Sequence, residues 1–140
     1  MPTPPFAPIL AAAEQRHGIE GVAARLPRPK STVELRDTPD DRYLSLMSLR
    51  IFRAGLKHEL VDAKWPAFEE VWHGFAPERC ARVWDEELEA MLADRRLIRH
   101  LGKLRSIRQN AAVMLEIAAA HGSFGAWLAD WPAADVVGLW

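Results

Sequence analysis

Apolar residues recur along most of the chain at intervals of three and four, the spacing of one face of an α-helix. The longest such pattern runs from Lys103 to Ala120, and its apolar positions are Leu104, Ile107, Ala111, Met114, Leu115 and Ala118. Shorter patterns precede it, and almost no segment alternates as a half-buried strand does. The sequence therefore predicts an all-α fold, a compact multi-helix domain.

Capping and breaking residues divide the chain into these helices. Ser31–Glu34 has the spacing of a capping box, and Thr38-Pro39 predicts an N-cap followed by proline at the first helical position. We expect Trp65-Pro66 to interrupt a helix, because proline disfavours a helical residue before it. His121-Gly122 is typical of a helix end.

A chain of 140 residues is long enough for one ordinary core and short for two. We predict an N-terminal helical segment, 1–37, and a longer helical region, 38–140, which together make a single domain. Within the longer region, a helix that begins at Asp85 and the helix of 103–120 are separated by the turn LIRHLG. Residues 85–120 therefore predict a helix-hairpin-helix element.

Composition narrows the class of protein. The formal net charge is -1, so any attraction to nucleic acid must be local. Cys80 is the only cysteine, which excludes an internal disulfide, suits the reducing cytoplasm and is typical of a small core residue. The N-terminus has no basic leader and no run approaches the ~18 apolar residues of a membrane span. We expect a cytoplasmic protein with no membrane partner.

One segment departs from this neutral balance. Residues 95–110 read RRLIRHLGKLRSIRQN, with six arginines and lysines around one glycine. We expect that glycine to adopt a positive φ, and the free N–H groups at the start of the following helix to bind an anion such as phosphate. The residues predicted to contact this phosphate are Arg99, His100, Gly102, Lys103 and Arg105.

The alternative interpretation of the same segment is a solvated helix face that happens to be basic. Apolar residues within the turn favour the first interpretation, because they predict that the turn is packed against the core: they are Leu97, Ile98 and Leu101. A packed turn with a glycine and a basic rim resembles the helix-hairpin-helix element, which holds one DNA strand by its backbone.

The stretch IRHLGKLRSIRQNA, 98–111, resembles the corresponding hairpin of the DNA-3-methyladenine glycosylase I family, in the helix-hairpin-helix glycosylase superfamily. Ala54-Gly55-Leu56 stands at the spacing of that family's A-G-L segment, and GSFGAWLADW resembles its segment after the long helix. The resemblance covers about 43–131, and it identifies the chain as a divergent and apparently short member.

The resemblance implies a base-excision-repair enzyme that flips an alkylated purine out of double-stranded DNA and cleaves the bond between base and sugar. It implies no cofactor. The family holds its two ends with zinc, for which this chain lacks the cysteines, so we predict no bound metal. Two alternatives are a catalytically inactive DNA-binding relative and an interaction protein whose partner surface includes Trp131 and Trp140.

Two positions depart from the family pattern in the base pocket. Where the family carries its recognition glutamate, five residues before Gly55, this chain has Arg50, and where it carries a tryptophan this chain has His58. A carboxylate ~4 Å from a cationic base would gain up to ~4 kcal/mol, and a guanidinium would lose a similar amount. We predict a base pocket of Arg50, Phe52 and His58, with His58 as the candidate catalytic residue that orients a water.

Other arrangements of the same residues are open. Arg50 would turn away if it paired with an acid such as Glu59 or Asp62. A mainly apolar pocket would then remain, lined by Met47, Phe52 and His58. His58 itself is also compatible with an ordinary hydrogen-bonded position on a helix.

Overall fold

The structure, a computed structural model, describes residues 5–132, 134, 135 and 138. The regular elements of this described part are all helical, which confirms the all-α prediction. They are α1 Phe6–His17, α2 Ile19–Ala23, α3 Thr32–Asp37, α4 Asp40–Arg53, α5 His58–Val71, the 3₁₀ turn His73–Phe75, α6 Pro77–Cys80, α7 Asp85–Ala93, α8 Leu101–His121 and α9 Phe124–Asp130.

Contacts divide the chain into two compact units, Met1–Lys30 and Ser31–Trp140. The smaller unit consists of α1 and α2, which contact each other. The larger unit contains the other helices. The sequence places α3 in the N-terminal segment, whereas in the structure α3 packs on α9 within the larger unit. The single domain overall stays a prediction.

Aromatic rings fill the centre of the larger unit. Trp65 stacks on Phe68 and on Phe75, with ring centroids 4.8 and 5.4 Å apart. Phe52 of α4 meets Phe68 of α5 edge to face at 4.7 Å. Such ring pairs stabilise by ~1 kcal/mol beyond the area that they bury. They hold α4 against α5, and the candidate site lies where these two helices join.

Besides these aromatic contacts, a network of hydrogen bonds joins α4 and α5. Arg42 donates to both carboxylate oxygens of Glu69, at 3.1 and 3.0 Å, and to the carbonyl of Gly74 at 2.7 Å. Ser45 Oγ donates to Glu69 at 2.6 Å and accepts from Trp65 Nε1 at 3.0 Å. The side chains of Ser45, Trp65 and Glu69 are therefore paired with one another, which fixes the relative position of the two helices.

The predicted break at Trp65-Pro66 is wrong, because α5 continues through Pro66 to Val71. Proline removes one backbone hydrogen bond from a helix interior. Here the stacked ring of Trp65 and the buried ring of Phe68 hold the backbone on both sides of Pro66. Tertiary packing overrides the local preference for a helix end.

The predicted start of α4 is displaced by one residue. The N-cap position is Pro39, and Thr38 Oγ1 instead donates to the carbonyl of Glu34, at the end of α3. Asp40 accepts a hydrogen bond at 3.0 Å from the backbone N–H of Phe124. The start of α4 therefore caps the start of α9, a long-range contact that no local pattern predicts.

Other predicted caps are confirmed. Ser31 and Glu34 form a complete capping box at the start of α3. Gly122, with a φ of 89°, follows the last residue of α8. Cys80 is fully buried, and burial raises the pKa of its thiol to about 12, as expected of a core residue.

None of the described helices is by itself both long and apolar enough to cross a membrane. The pair α8 and α9 meets the length and composition criteria only when the two are taken together, and they are bent by 67° at the break between them.

A substitution at Gly125 tests how closely α9 packs against its neighbours. A Cβ at Gly125 would overlap the carbonyl oxygen of Leu35 and lie 3.1 Å from Tyr43 Cε2. We expect Gly125→Ala to lower the free energy of unfolding by about 1–3 kcal/mol, measured by urea denaturation. Gly21→Ala is the control, because its Cβ would meet only ordinary contacts at 3.4 Å or more. Equal stability of wild type and both variants would contradict this description of the contact.

Candidate functional site

A pocket of about 500 Å³ lies between the end of α4 and the start of α5. The chain reverses there at Gly55, whose φ of 77° is accessible to glycine at little cost. The lining residues are Arg50, Arg53, Ala54, Gly55, Leu56, Lys57 and His58. The structure thus brings together two residues that the sequence predicts for one pocket, Arg50 and His58, and adds Arg53 and Lys57, which were not predicted.

Phe52 does not line this pocket, in contrast to its predicted role. Its side chain is fully buried, and its ring packs on Phe68 and Trp65. The reason is helical geometry, because positions two residues apart on a helix point about 200° apart. Arg50 and Phe52 therefore face opposite sides of α4.

Arg53 pairs with Asp62, one of the two acids that the alternative arrangement offers to Arg50. Its guanidinium forms a two-pronged pair with Asp62, with Nε to Oδ1 at 2.8 Å and Nη2 to Oδ2 at 2.7 Å. Arg50 is exposed and forms no hydrogen bond or ion pair with any residue that the structure describes. Its charge is therefore available to a molecule in the pocket.

The N-terminus of α5 adds to the positive character of the pocket. Lys57 is the N-cap residue and no side chain caps this end of the helix. The first backbone bond of α5 runs from the N–H of Val61 to the carbonyl of Lys57. The N–H groups before Val61 thus have no acceptor within the helix, and the helix dipole is positive there.

The turn between α7 and α8, residues 94–100, is here called the hairpin. Leu97 is buried, and Ile98 and Leu101 are half-buried against the core, which confirms the predicted packed turn. Lys64 of α5 donates to the carbonyls of Arg95 and Arg96 at 2.7 and 3.3 Å. The hairpin is therefore held by both apolar and polar contacts.

Arg96 provides a second attachment for the hairpin. It bonds to Asp94 and, at 3.1 Å, to Glu70 of α5. The hydrogen bonds from Arg96 hold the pKa of Asp94 below its usual value. Arg96 is thus engaged within the protein, although it belongs to the basic run.

Gly102 lies inside α8 and does not have the positive φ predicted for it. A Cβ there would come within 3.3 Å of His100 Cε1, so the His100 side chain would have to shift slightly. His100 is the N-cap residue, and its Nδ1 accepts from the N–H of Lys103 at 3.2 Å. Since Nδ1 is the acceptor, the proton of a neutral His100 resides on Nε2 and is available to a ligand.

Lys103 faces the pocket side of the structure. Its Nζ donates to the carbonyl of Ala54 at 2.7 Å and to that of Phe52 at 3.2 Å. The ammonium therefore joins the start of α8 to the end of α4, where Ala54 lines the pocket. This differs from the predicted phosphate contact, because at least two of the three N–H donors are already used.

Three arginines of the basic run are exposed and have no hydrogen bond or ion pair within the described chain: Arg95, Arg99 and Arg105. Arg108, the other arginine of that run on α8, bonds to Asp85 and to the carbonyl of Val83, both at 2.9 Å. Arg95 was not among the predicted contacts. The sequence does not distinguish Arg95 from Arg96, because Asp94 precedes both of them. In the structure Asp94 pairs with Arg96, which leaves the Arg95 side chain without a partner in the described chain.

Two other predictions concern partners and metal. Trp131 is half-buried, with its Nε1 bonded to the carbonyl of Asp135, and Trp140 lies outside the described residues. The described chain contains no cluster of three or more histidine, cysteine, aspartate or glutamate side chains that would hold a metal ion. That the protein binds no metal stays a prediction.

The larger unit thus combines a pocket with a basic, packed turn between two helices. A family model, Methyladenine glycosylase, matches residues 35–137, and the chain belongs to this family.

Similar proteins are known from sequence and structure. DNA-3-methyladenine glycosylase 1 of Escherichia coli (strain K12) is 28% identical over 81 residues, which are 58% of this chain and 43% of the relative. A variant of 3-methyladenine DNA glycosylase I solved with 3-methyladenine is 28% identical, with a TM-score of 0.61, over 65% of this chain and 50% of that one.

The Staphylococcus aureus 3-methyladenine DNA glycosylase I gives the same TM-score and identity, with 64% of this chain and 48% of that chain covered. The chain thus spans about half the length of the relatives that it matches. The agreement in both sequence and structure supports the predicted resemblance.

Substitution of Lys103 distinguishes between two roles of this residue: holding α8 against α4, or contacting a phosphate. We expect Lys103→Met to lower the free energy of unfolding by about 1–3 kcal/mol, because the carbonyls of Ala54 and Phe52 lose a charged donor. Denaturation would measure this loss, and the salt dependence of duplex binding should keep its wild-type slope. Unchanged stability with a slope reduced by about 1 would identify Lys103 as a phosphate contact.

Proposed function

We propose that the protein is a base-excision-repair DNA glycosylase, which binds damaged double-stranded DNA, flips an alkylated purine from the helix and releases it. The observation that carries the proposal is the pair of bonds from Lys103 to the end of α4. These bonds join the start of α8, which follows the basic hairpin, to the pocket wall at Ala54. A DNA strand held at the hairpin would then have a fixed position relative to the pocket.

The hairpin would hold the strand by its phosphates. Arg95, Arg99 and Arg105 have no partners in the described chain, so binding a phosphate breaks no existing ion pair. The uncapped N–H groups of the first turn of α8 and the Nε2–H of His100 add hydrogen-bond donors. Contacts of this kind hold the backbone without reading sequence.

The reaction proposed for the pocket is hydrolysis of the bond between C1′ of the sugar and the purine nitrogen. A water oxygen bonds to C1′, the C1′–N bond breaks, and its electron pair goes to the departing base. His58 lines the pocket and is the proposed residue that orients this water and accepts its proton. The proton then passes to solvent.

A second function has its own support. The residues that line the pocket include no carboxylate, which leaves the pocket without an acidic residue to hold a cationic base. A catalytically inactive relative that binds DNA through the hairpin would also show this feature. Base release distinguishes the two functions, since both require DNA binding.

The first test is release of bases from methylated duplex DNA, followed by chromatography of the free bases. We expect the wild type to release an alkylated purine, and His58→Ala to reduce the rate by about 10²-fold with duplex affinity unchanged. Arg79→Ala is the control, because Arg79 is an exposed arginine outside the pocket and the hairpin. No release by the wild type, with salt-dependent binding intact, would favour the inactive relative.

The second test concerns the hairpin. Arg99→Ala should weaken duplex binding and reduce the slope of log K against log salt by about 1, because one phosphate contact is lost. Fluorescence anisotropy at several salt concentrations measures both quantities, and Arg79→Ala should leave the slope unchanged. The same slope in wild type and Arg99→Ala would contradict the proposed contact.

A further inference from the structure

The charge of the pocket is its most informative property. Four basic side chains line it and none of the lining residues is acidic. One of the four, Arg53, is compensated by Asp62, which leaves Arg50 and Lys57 as the uncompensated positive charges beside His58. The uncapped start of α5 contributes a further positive potential, which Glu59 in the first turn of the helix opposes in part.

The ammonium of Lys103 increases this positive potential, although Lys103 is not itself a lining residue. Its ammonium lies 2.7 Å from the carbonyl oxygen of Ala54, a residue of the pocket wall. The carbonyl groups at the end of α4 would otherwise present the negative end of a helix dipole to the pocket. Lys103 compensates them, so the two helix ends that meet at the pocket do not cancel each other.

We propose that the pocket selects a neutral purine lesion that carries oxygen at position 6, rather than a cationic methylpurine such as 3-methyladenine in DNA. This inference rests on the glycosylase activity of the proposed function and changes its substrate class, from alkylated purines to purine lesions with oxygen at position 6, whether alkylated or not. A cationic base would enter a site that is already positive and would meet no carboxylate there. A neutral purine has no such penalty.

Arg50 supplies a means of recognition for such a base. The N7 and O6 atoms of a 6-oxygenated purine are two neighbouring acceptors, which a guanidinium binds with two parallel N–H groups. Undamaged guanine presents the same edge, so selection of a lesion comes from its weaker pairing, which lowers the cost of flipping. Arg50 is the lining arginine with no partner in the described chain, so its N–H groups are available for this edge. The pocket volume of about 500 Å³ is ample for one purine.

The same charges assist release of a neutral base. When the C1′–N9 bond of a neutral purine breaks, the electron pair stays on N9 and negative charge develops on the base. Basic groups already in position stabilise that charge in the transition state. A cationic methylpurine departs as a neutral molecule, so the same groups offer its departure no such stabilisation.

The experiment compares duplexes of one sequence that contain a single hypoxanthine, a single O6-methylguanine or a single 3-methyladenine. Base release is followed in single-turnover reactions with the full chain, and affinity is measured in parallel by anisotropy. We expect the wild type to release at least one of the two oxygenated purines at least tenfold faster than 3-methyladenine. Faster release of 3-methyladenine than of both would overturn the inference while supporting the proposed function.

Arg50→Glu is the decisive variant, and it should fold because Arg50 is exposed and contacts no described partner. We expect it to reverse the preference, with the ratio of oxygenated purine to 3-methyladenine reduced at least tenfold. Arg79→Glu is the matched control, an equal charge reversal at an exposed arginine away from the pocket, and should keep the wild-type ratio. An unchanged ratio in Arg50→Glu would overturn the role of Arg50.

Absence of release from every duplex would mean that the proposed catalytic function has failed, and the binding data then decide the inference. At least tenfold tighter binding of an oxygenated-purine duplex than of the 3-methyladenine duplex, lost in Arg50→Glu, would support the pocket's selectivity in a non-catalytic protein. Equal affinities for all three duplexes would overturn it.

Discussion

The bonds from the Lys103 ammonium to the last carbonyls of α4 are the contact on which the candidate site depends. A helix C-terminus has carbonyls with no helical partner, and a cation there satisfies them and opposes the helix dipole. In this protein the cation comes from the first turn of another helix, α8. One side chain thereby links the two parts of the site, the pocket wall at Ala54 and the hairpin that precedes α8.

A second set of contacts explains why a run of six basic residues does not act as one uniform patch. Arg96 pairs with Asp94 of the hairpin and with Glu70 of α5, Lys103 and Arg108 bind within the protein, and Lys64, outside the run, binds carbonyls of the hairpin. The basic residues are therefore sorted into those that hold the hairpin in place and those that are available to a ligand. Net charge alone does not distinguish the two groups, since both contribute equally to it.

The helices and several of their ends could be predicted because their signals are local: three- and four-residue spacing, the capping box at Ser31 and the glycine at 122. The errors have non-local causes. The stack of Trp65 on Phe68 maintains α5 through Pro66, and Asp40 caps a helix 84 residues away. In the site, the sequence resemblance predicts a base pocket of Arg50, Phe52 and His58; Arg50 and His58 line one pocket, whereas helical geometry places Phe52 in the core.

The charge of the pocket depends on a competition that the sequence leaves open. Arg50 and Arg53 lie three residues apart on α4. From the sequence, Asp62 of α5 is a possible partner for each of these two arginines. In the structure Arg53 holds both oxygens of Asp62, with its side chain only 20% exposed. Because a carboxylate held by both oxygens has little capacity for a second guanidinium, Arg50 stays unpaired in the described chain. The free charge in the pocket thus follows from which arginine binds Asp62, and not from the number of basic residues alone.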